Sequence, residues 1–214
     1  MASYSVTPVD HVGGELTVPG DKSISHRSLM LGSIAEGQTH VTGFLASEDC
    51  LATMAAMKAM GVQIERPTPT ELRVQGVGMR GLRAAGKPLD LGNSGTAIRL
   101  MTGLLAGQSF DSELIGDASL MTRPMERVAK PLRLMGARID TRDGKPPVRI
   151  HGGQPLKGIH YDLPVASAQV KSAIMLAGLY ADGATTVVEP GVTRDHTERM
   201  LLTFGCRVDA ARGR

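Results

Sequence analysis

Apolar residues fall at helical spacing over residues 23–35, where Ile24, Leu31 and Ile34 share one face. Val41 to Phe44 reads as a short strand. Residues 49–60 predict a second helix, with Leu51, Met54, Met57 and Met60 on one stripe. From 62 to 74 apolar and polar positions alternate about Pro67-Thr68-Pro69, the pattern of a hairpin. The same order then returns. Residues 94–106 read as a helix, 110–115 as a strand, 124–135 as a helix, and 138–150 as a hairpin turning at Asp143-Gly144-Lys145. A third round begins with a helix at 167–180, a strand at 185–188 and a helix at 196–204. Cys206-Arg207-Val208-Asp209 then reads as the first strand of a hairpin whose return strand is missing.

Glycines mark the same recurrence. Gly37, Gly107 and Gly183 follow the first helix of each round, in steps of 70 and 76 residues. Gly61, Gly136 and Gly205 end the second helices, in steps of 75 and 69, where the left-handed position after a helix favours glycine. Three repeats are expected, at about 21–85, 86–157 and 158–214, the third incomplete. That incompleteness has two readings, a chain cut short or a terminal repeat degenerate as a cap. Residues 1–20, with the strand-like Glu15-Leu16-Thr17-Val18, stand outside the repeat and need another surface to pack on.

Composition narrows the chemistry. Apolar residues make up 42% of 214, enough for a sizeable core, but aromatics only 3% with no Trp. Stacking platforms for single-stranded nucleic acid are thereby excluded. A net charge of +3, with Lys and Arg dispersed, suits small anionic ligands better than a nucleic-acid surface. Cys50 and Cys206 are too few for a disulfide framework and have no metal-ligand spacing, and the six His residues have none either. Free thiols, no leader-like N-terminus and no run near the ~18 apolar residues of a membrane span imply a cytoplasmic protein.

Polar residues gather at the starts of the first helices: Gly20-Asp21-Lys22-Ser23-Ile24-Ser25-His26-Arg27, Gly92-Asn93-Ser94-Gly95-Thr96 and Ala166-Ser167-Ala168-Gln169. Three similar units packed about a pseudo-threefold axis would bring these N-termini to one surface, where free N–H groups and helix dipoles favour anions. Lys22 offers a point charge and Arg27 a planar fork; Ser23 lies four residues before Arg27 on the same face. Gly95 permits close approach of a ligand to the backbone. Arg123 precedes Pro124, read as the first helical residue, and Arg194 precedes Asp195-His196-Thr197-Glu198, which has the form of a capping box. Taken singly, Ser94 and Ser167 read first as caps, and Arg123 and Arg194 as solvated surface charges. A phosphate-binding loop is excluded, because Asp21 separates Gly20 from Lys22 and Glu15 stands where its first glycine belongs. No G-x-S-x-G elbow is present.

Pro19 to Arg27 resembles the signature of the 5-enolpyruvylshikimate-3-phosphate (EPSP) synthase family. So do Leu91-Gly92-Asn93-Ser94-Gly95-Thr96-Ala97-Ile98-Arg99, Gly116-Asp117-Ala118-Ser119-Leu120 with Arg123-Pro124-Met125, Ala166-Ser167-Ala168-Gln169-Val170-Lys171-Ser172, and Thr193-Arg194-Asp195-His196-Thr197-Glu198. These fall in family order over nearly the whole chain. The resemblance implies an α/β (α+β) fold of three βαβαββ-type repeats around a pseudo-threefold axis. That unit would be one domain of a two-domain enolpyruvyl transferase, with 21–214 the N-terminal domain and 1–20 belonging to the other.

It further implies transfer of enolpyruvate from phosphoenolpyruvate to the 5-hydroxyl of shikimate 3-phosphate, a step of aromatic amino-acid and chorismate biosynthesis. No cofactor or metal is implied, and neither nucleic acid nor membrane is a partner. Carried onto this chain, shikimate 3-phosphate would be held by Lys22, Ser23, Arg27, Ser167, Ala168, Gln169 and Arg194. Phosphoenolpyruvate, and the competing inhibitor glyphosate, would be held by Lys22, Asn93, Gly95, Thr96, Arg123 and Gln169. Lys22 and Arg123 would act in catalysis, stabilising developing charge. The family's general-base Asp, its Lys–Glu pair and further Arg and Lys residues lie in the other domain. This chain is therefore expected to be inactive without a complementary C-terminal half. Leu100 departs from the Pro that some glyphosate-sensitive members carry. The related family acting on UDP-N-acetylglucosamine differs at Ser23 to Arg27 and carries a reactive Cys in the second repeat, where neither Cys50 nor Cys206 stands. A non-catalytic anion-binding module is the remaining alternative.

Overall fold

Six α-helices and nine strands alternate along the described part of the chain, residues 3–211 of the computed structural model. Helix α1 (Lys22–Ile34) leads through β1 (Gln38–Thr42) and α2 (Glu48–Ala59) to the hairpin of β2 (Gln63–Thr68) and β3 (Glu71–Gln75). These strands form an antiparallel sheet in the order β1-β3-β2. The next unit comprises β4 (Leu89–Asp90), α3 (Gly95–Ala106), β5 (Ser112–Ile115), a 3-10 turn (Leu120–Thr122), α4 (Glu126–Leu134), β6 (Arg138–Arg142) and β7 (Lys145–His151). Its sheet runs β4-β5-β7-β6, with β4 parallel to β5. The β6–β7 hairpin turns on Asp143 and Gly144, both at positive φ, as a two-residue turn matched to strand twist requires. Last come β8 (His160–Asp162), α5 (Ala168–Gly178), β9 (Thr186–Val188) and α6 (His196–Thr203), with β8 parallel to β9.

The helices fall into two kinds. Helices α1, α3 and α5 are buried nearly all round: Leu29, Met30, Ile98, Leu100, Met101, Leu104 and Ile174 have no exposed surface. A helix enclosed on every side forms the centre of a fold rather than its rim. Helices α2, α4 and α6 bury one stripe each. All three end alike. Gly61, Gly136 and Gly205 have φ of 95°, 102° and 81°. The following N–H reaches back to a helix carbonyl, Val62 to Met57, Ala137 to Leu132 and Cys206 to Leu201, a Schellman closure that only a left-handed residue permits.

Some expectations are corrected. Residues 3–19, with the strand-like 15–18, run exposed and without secondary structure, having no neighbouring strand among the described residues to give them a ladder. Residues 206–209 are irregular for the same reason. The two-residue β4 and three-residue β8 were illegible, being too short to show alternation. Pro124 precedes α4, whose cap is Met125, and is not its first residue. Gly107 is not equivalent to Gly37 and Gly183: they have φ of 79° and 84°, whereas Gly107 has φ −88°. A Cβ on Gly107 would lie 2.2 Å from the Tyr180 ring, so close approach accounts for that glycine. Residues 1–2 of the expected N-terminal segment and 212–214 of the third repeat lie outside the described residues. Among the described residues no helix is long and apolar enough to cross a membrane.

Candidate functional site

Each central helix starts with a side chain that satisfies its own backbone. Asp21 accepts from Ile24 N at 2.8 Å, Ser94 from Ala97 N at 3.1 Å and Ser167 from Val170 N at 3.4 Å. Ser94 and Ser167 are thus caps, and on α1 the cap is Asp21, which leaves Ser23 free for another partner.

Side chains then tie these N-termini together. Gln169, at the start of α5, donates to Thr96 Oγ1 on α3 at 3.0 Å and accepts from Arg99 Nη1 at 2.8 Å. Arg194, in the loop before α6, donates to Ser23 Oγ on α1 at 3.0 Å. Arg123 bonds the Asn93 side chain, and its Nη1 would lie 2.7 Å from a Cβ placed on Gly95. His26 links α1 to Thr53 at 2.8 Å and to Ser94 at 3.4 Å. A cavity of about 450 Å³ opens between two walls, Ala166 to Gln169 on one side and Val192 to Arg194 on the other. Ser23, Arg27, Gly95 and Ala168 are buried; Thr96, Arg123, Ser167 and Gln169 are half-buried; Lys22, Asn93 and Arg194 are exposed.

Two of the expected cations are already engaged. The Lys22 ammonium pairs with Asp49 on α2 at 2.9 Å at the rim of the site. Arg27 donates to Ser23 O at 2.8 Å, Ser172 Oγ at 2.7 Å and Thr197 Oγ1 at 2.6 Å, so its guanidinium knits α1 to α5 and α6. Burial first, and then the positive charge of Arg194, push its pKa down to about 10, which leaves it charged at neutral pH. Burial likewise lowers the pKa of Arg99, with Arg127 and Arg123 adding repulsion. The result is a concentration of positive charge beside Gly95, suited to an anion.

The sequence reading missed Asp49, Arg99, Lys171, Ser172, Glu189 and Thr197. Arg99, Lys171 and Ser172 stood inside recognised motifs, and a polar residue on a helix otherwise buried all round was the signal that marked them. The expected capping box at Asp195 is absent: Asp195 makes no side-chain cap, and Glu198 turns away to Lys171 at 2.5 Å. A buried ammonium outcompetes a neutral N–H for that carboxylate.

The family model for EPSP synthase (3-phosphoshikimate 1-carboxyvinyltransferase) matches residues 6–214. The 3-phosphoshikimate 1-carboxyvinyltransferase of Methylococcus capsulatus is 64% identical over 203 residues, covering 94% of this chain and 46% of that protein. That of Hydrogenovibrio crunogenus is 62% identical over 208 residues, covering 97% and 47%. The solved EPSP synthase of Acinetobacter baumannii superposes with a TM-score of 0.91 at 63% identity, over 93% of this chain and 45% of that one. The chain thus spans about half the length of the curated relatives it matches.

Proposed function

This chain belongs to the EPSP synthase family, and from that premise we propose that it supplies one half of an enolpyruvyl transferase active site. Residues 21–214 form one domain of three related units about a pseudo-threefold axis, and 1–20 pack with a second domain. The reaction joins the 5-hydroxyl of shikimate 3-phosphate to C2 of phosphoenolpyruvate while C3 is protonated, and phosphate then leaves.

The observation that carries this reading is a pair of side-chain bridges at the N-termini of the central helices: Ser23 on α1 with Arg194 in the loop before α6, and Gln169 on α5 with Thr96 on α3. They support a shikimate 3-phosphate site of Lys22, Ser23, Arg27, Ser167, Ala168, Gln169 and Arg194 around the cavity. Arg194 lines one wall of that cavity and Ser167 and Gln169 the other. Arg27 acts from behind, holding Ser172 and Thr197 in place. Phosphoenolpyruvate lies against Gly95, with Asn93, Thr96, Arg123, Gln169 and Lys22 about it. Lys22 must exchange Asp49 for substrate, a switch from one anionic partner to another. Lys22 and Arg123 supply charge stabilisation in the tetrahedral intermediate. The general base comes from the complementary half, so this half alone does not turn over.

Direct binding tests the site. The chain is expected to bind shikimate 3-phosphate and not UDP-N-acetylglucosamine, and Gln169→Ala is expected to weaken that binding. Equal affinity for both ligands, or no effect of Gln169→Ala, overturns the assignment. For glyphosate, Leu100 is fully buried in α3 one turn beyond Gly95–Thr96. Reconstituted enzyme carrying Leu100→Pro is expected to differ in glyphosate inhibition, and equal inhibition disposes of the idea.

A further inference from the structure

One buried ion cluster lies outside the residues given a role above. Lys171, one turn into α5, is 7% exposed, and its ammonium reaches Glu189 at 2.6 Å and Glu198 at 2.5 Å. The two carboxylate side chains are themselves only 16% and 13% exposed. Glu189 directly follows β9 and Glu198 stands in the first turn of α6. A single ammonium therefore grips both ends of the loop 190–195. Within that loop the Thr193 hydroxyl donates to the second oxygen of Glu189. On the α5 side, Lys171 N donates to Ser167 O at 3.0 Å, so the same residue is joined to the opposite wall of the cavity.

The two walls that Lys171 connects are those of the 450 Å³ cavity. One bears Ser167 and Gln169; the other bears Arg194, whose guanidinium crosses to Ser23 at 3.0 Å. An exposed pair would contribute little to such an arrangement. A buried triad is different: two carboxylates brought together repel, and the shared cation between them offsets that repulsion. Burial opposes the ammonium, but the hydrogen bonds it donates to Glu189 and Glu198, together with their negative charges, outweigh it and raise the Lys171 pKa. Buried ion clusters are poor stabilisers compared with apolar side chains of the same size, and their better-supported use is to fix geometry. Glu198 also faces the charge of Arg27, and its Oε2 is buried without a hydrogen-bond partner.

We propose that Lys171 is a positioning residue for the shikimate 3-phosphate site, clamping the 189–198 segment to α5 so that Arg194 faces Ser23 and Ser167 across the cavity. This rests on the reading of that cavity given above. It acts through Arg194 and touches no substrate.

The experiment uses the full chain with Lys171→Met, Glu189→Gln, Arg194→Ala and the pair Lys171→Met with Arg194→Ala. Affinity for shikimate 3-phosphate is read by NMR titration, and amide exchange over 190–195 by mass spectrometry. Lys171→Met is expected to speed that exchange and to weaken binding by about tenfold, while the pair binds no worse than Arg194→Ala alone. Affinity losses that add would assign Lys171 a merely structural role and overturn the proposal, as would unchanged exchange in a folded variant. Glu189→Gln keeps the shape of the cluster and is expected to show the same signature more weakly, which decides the matter if Lys171→Met does not fold. If the unaltered chain binds no shikimate 3-phosphate, the reading of the cavity fails. Exchange over 190–195 then still decides the clamp by itself.

Discussion

His26 sits where α1, α2 and α3 meet, fully buried, between Thr53 at 2.8 Å and Ser94 at 3.4 Å. Burial, opposed in part by Asp49, pushes its pKa down from 6.5 to about 4, so the ring is neutral at pH 7. The unfolded chain takes up a proton that the folded chain refuses. Stability from this residue is therefore complete above pH 6.5 and is lost as pH falls towards 4. Urea unfolding at pH 7 and pH 4 is expected to differ by roughly 3 kcal/mol from His26 alone, read as the difference between the unaltered chain and His26→Asn. An identical pH dependence in the two contradicts the assignment. Gly95 answers to space instead. A Cβ there would stand 2.7 Å from Arg123 Nη1 and 3.0 Å from Arg99 Nη1, both flexible ends. Gly95→Ala is expected to leave the melting temperature nearly unchanged and to weaken phosphoenolpyruvate binding in reconstituted enzyme; unaltered binding would move that substrate elsewhere. The sequence disclosed Lys22, Ser23, Arg27 and Gly95 as a motif. It did not disclose that Arg27 spends its donors inside the chain, because a buried partner such as Thr197 lies 170 residues away.

At the scale of elements, α3 and α5 approach closely because Gly103 lets them. A Cβ on Gly103 would lie 2.1 Å from Ala173 O, a backbone atom that cannot yield without moving α5. Gly103→Ala is expected to cost about 1–3 kcal/mol or more by overpacking, measured by thermal unfolding. A neutral or stabilised variant would mean that the helices separate freely. Helix periodicity located all six helices to within a residue or two, and Gly61, Gly136 and Gly205 marked three of their ends. Strands were harder, since a strand exists only with its neighbour. Residues 15–18 and 206–209 have the composition of strands and no ladder, whereas Leu89–Asp90 has a ladder and too few residues to announce it.

At the scale of the molecule, the central helices α1, α3 and α5 carry the candidate site at their N-termini while residues 3–19 lie exposed, including Tyr4, Leu16 and Val18 at 92%, 79% and 71%. Deleting residues 1–19 is expected to change the chain's own unfolding free energy by less than ~0.5 kcal/mol, since the described residues of that segment, 3–19, are exposed. The same deletion is expected to weaken association with a C-terminal half, and a deletion that unfolds the chain contradicts this division. On the proposed function, the bridges at the helix N-termini would let this chain present substrate-binding groups while a complementary half completes the chemistry. The most direct measurement mixes this chain with a separately expressed C-terminal half of an EPSP synthase and follows phosphate release from shikimate 3-phosphate and phosphoenolpyruvate. Release from the mixture alone, abolished by Lys22→Ala, is the predicted result. Release by the chain without its complement, or silence from a mixture of folded and associated halves, would contradict the account.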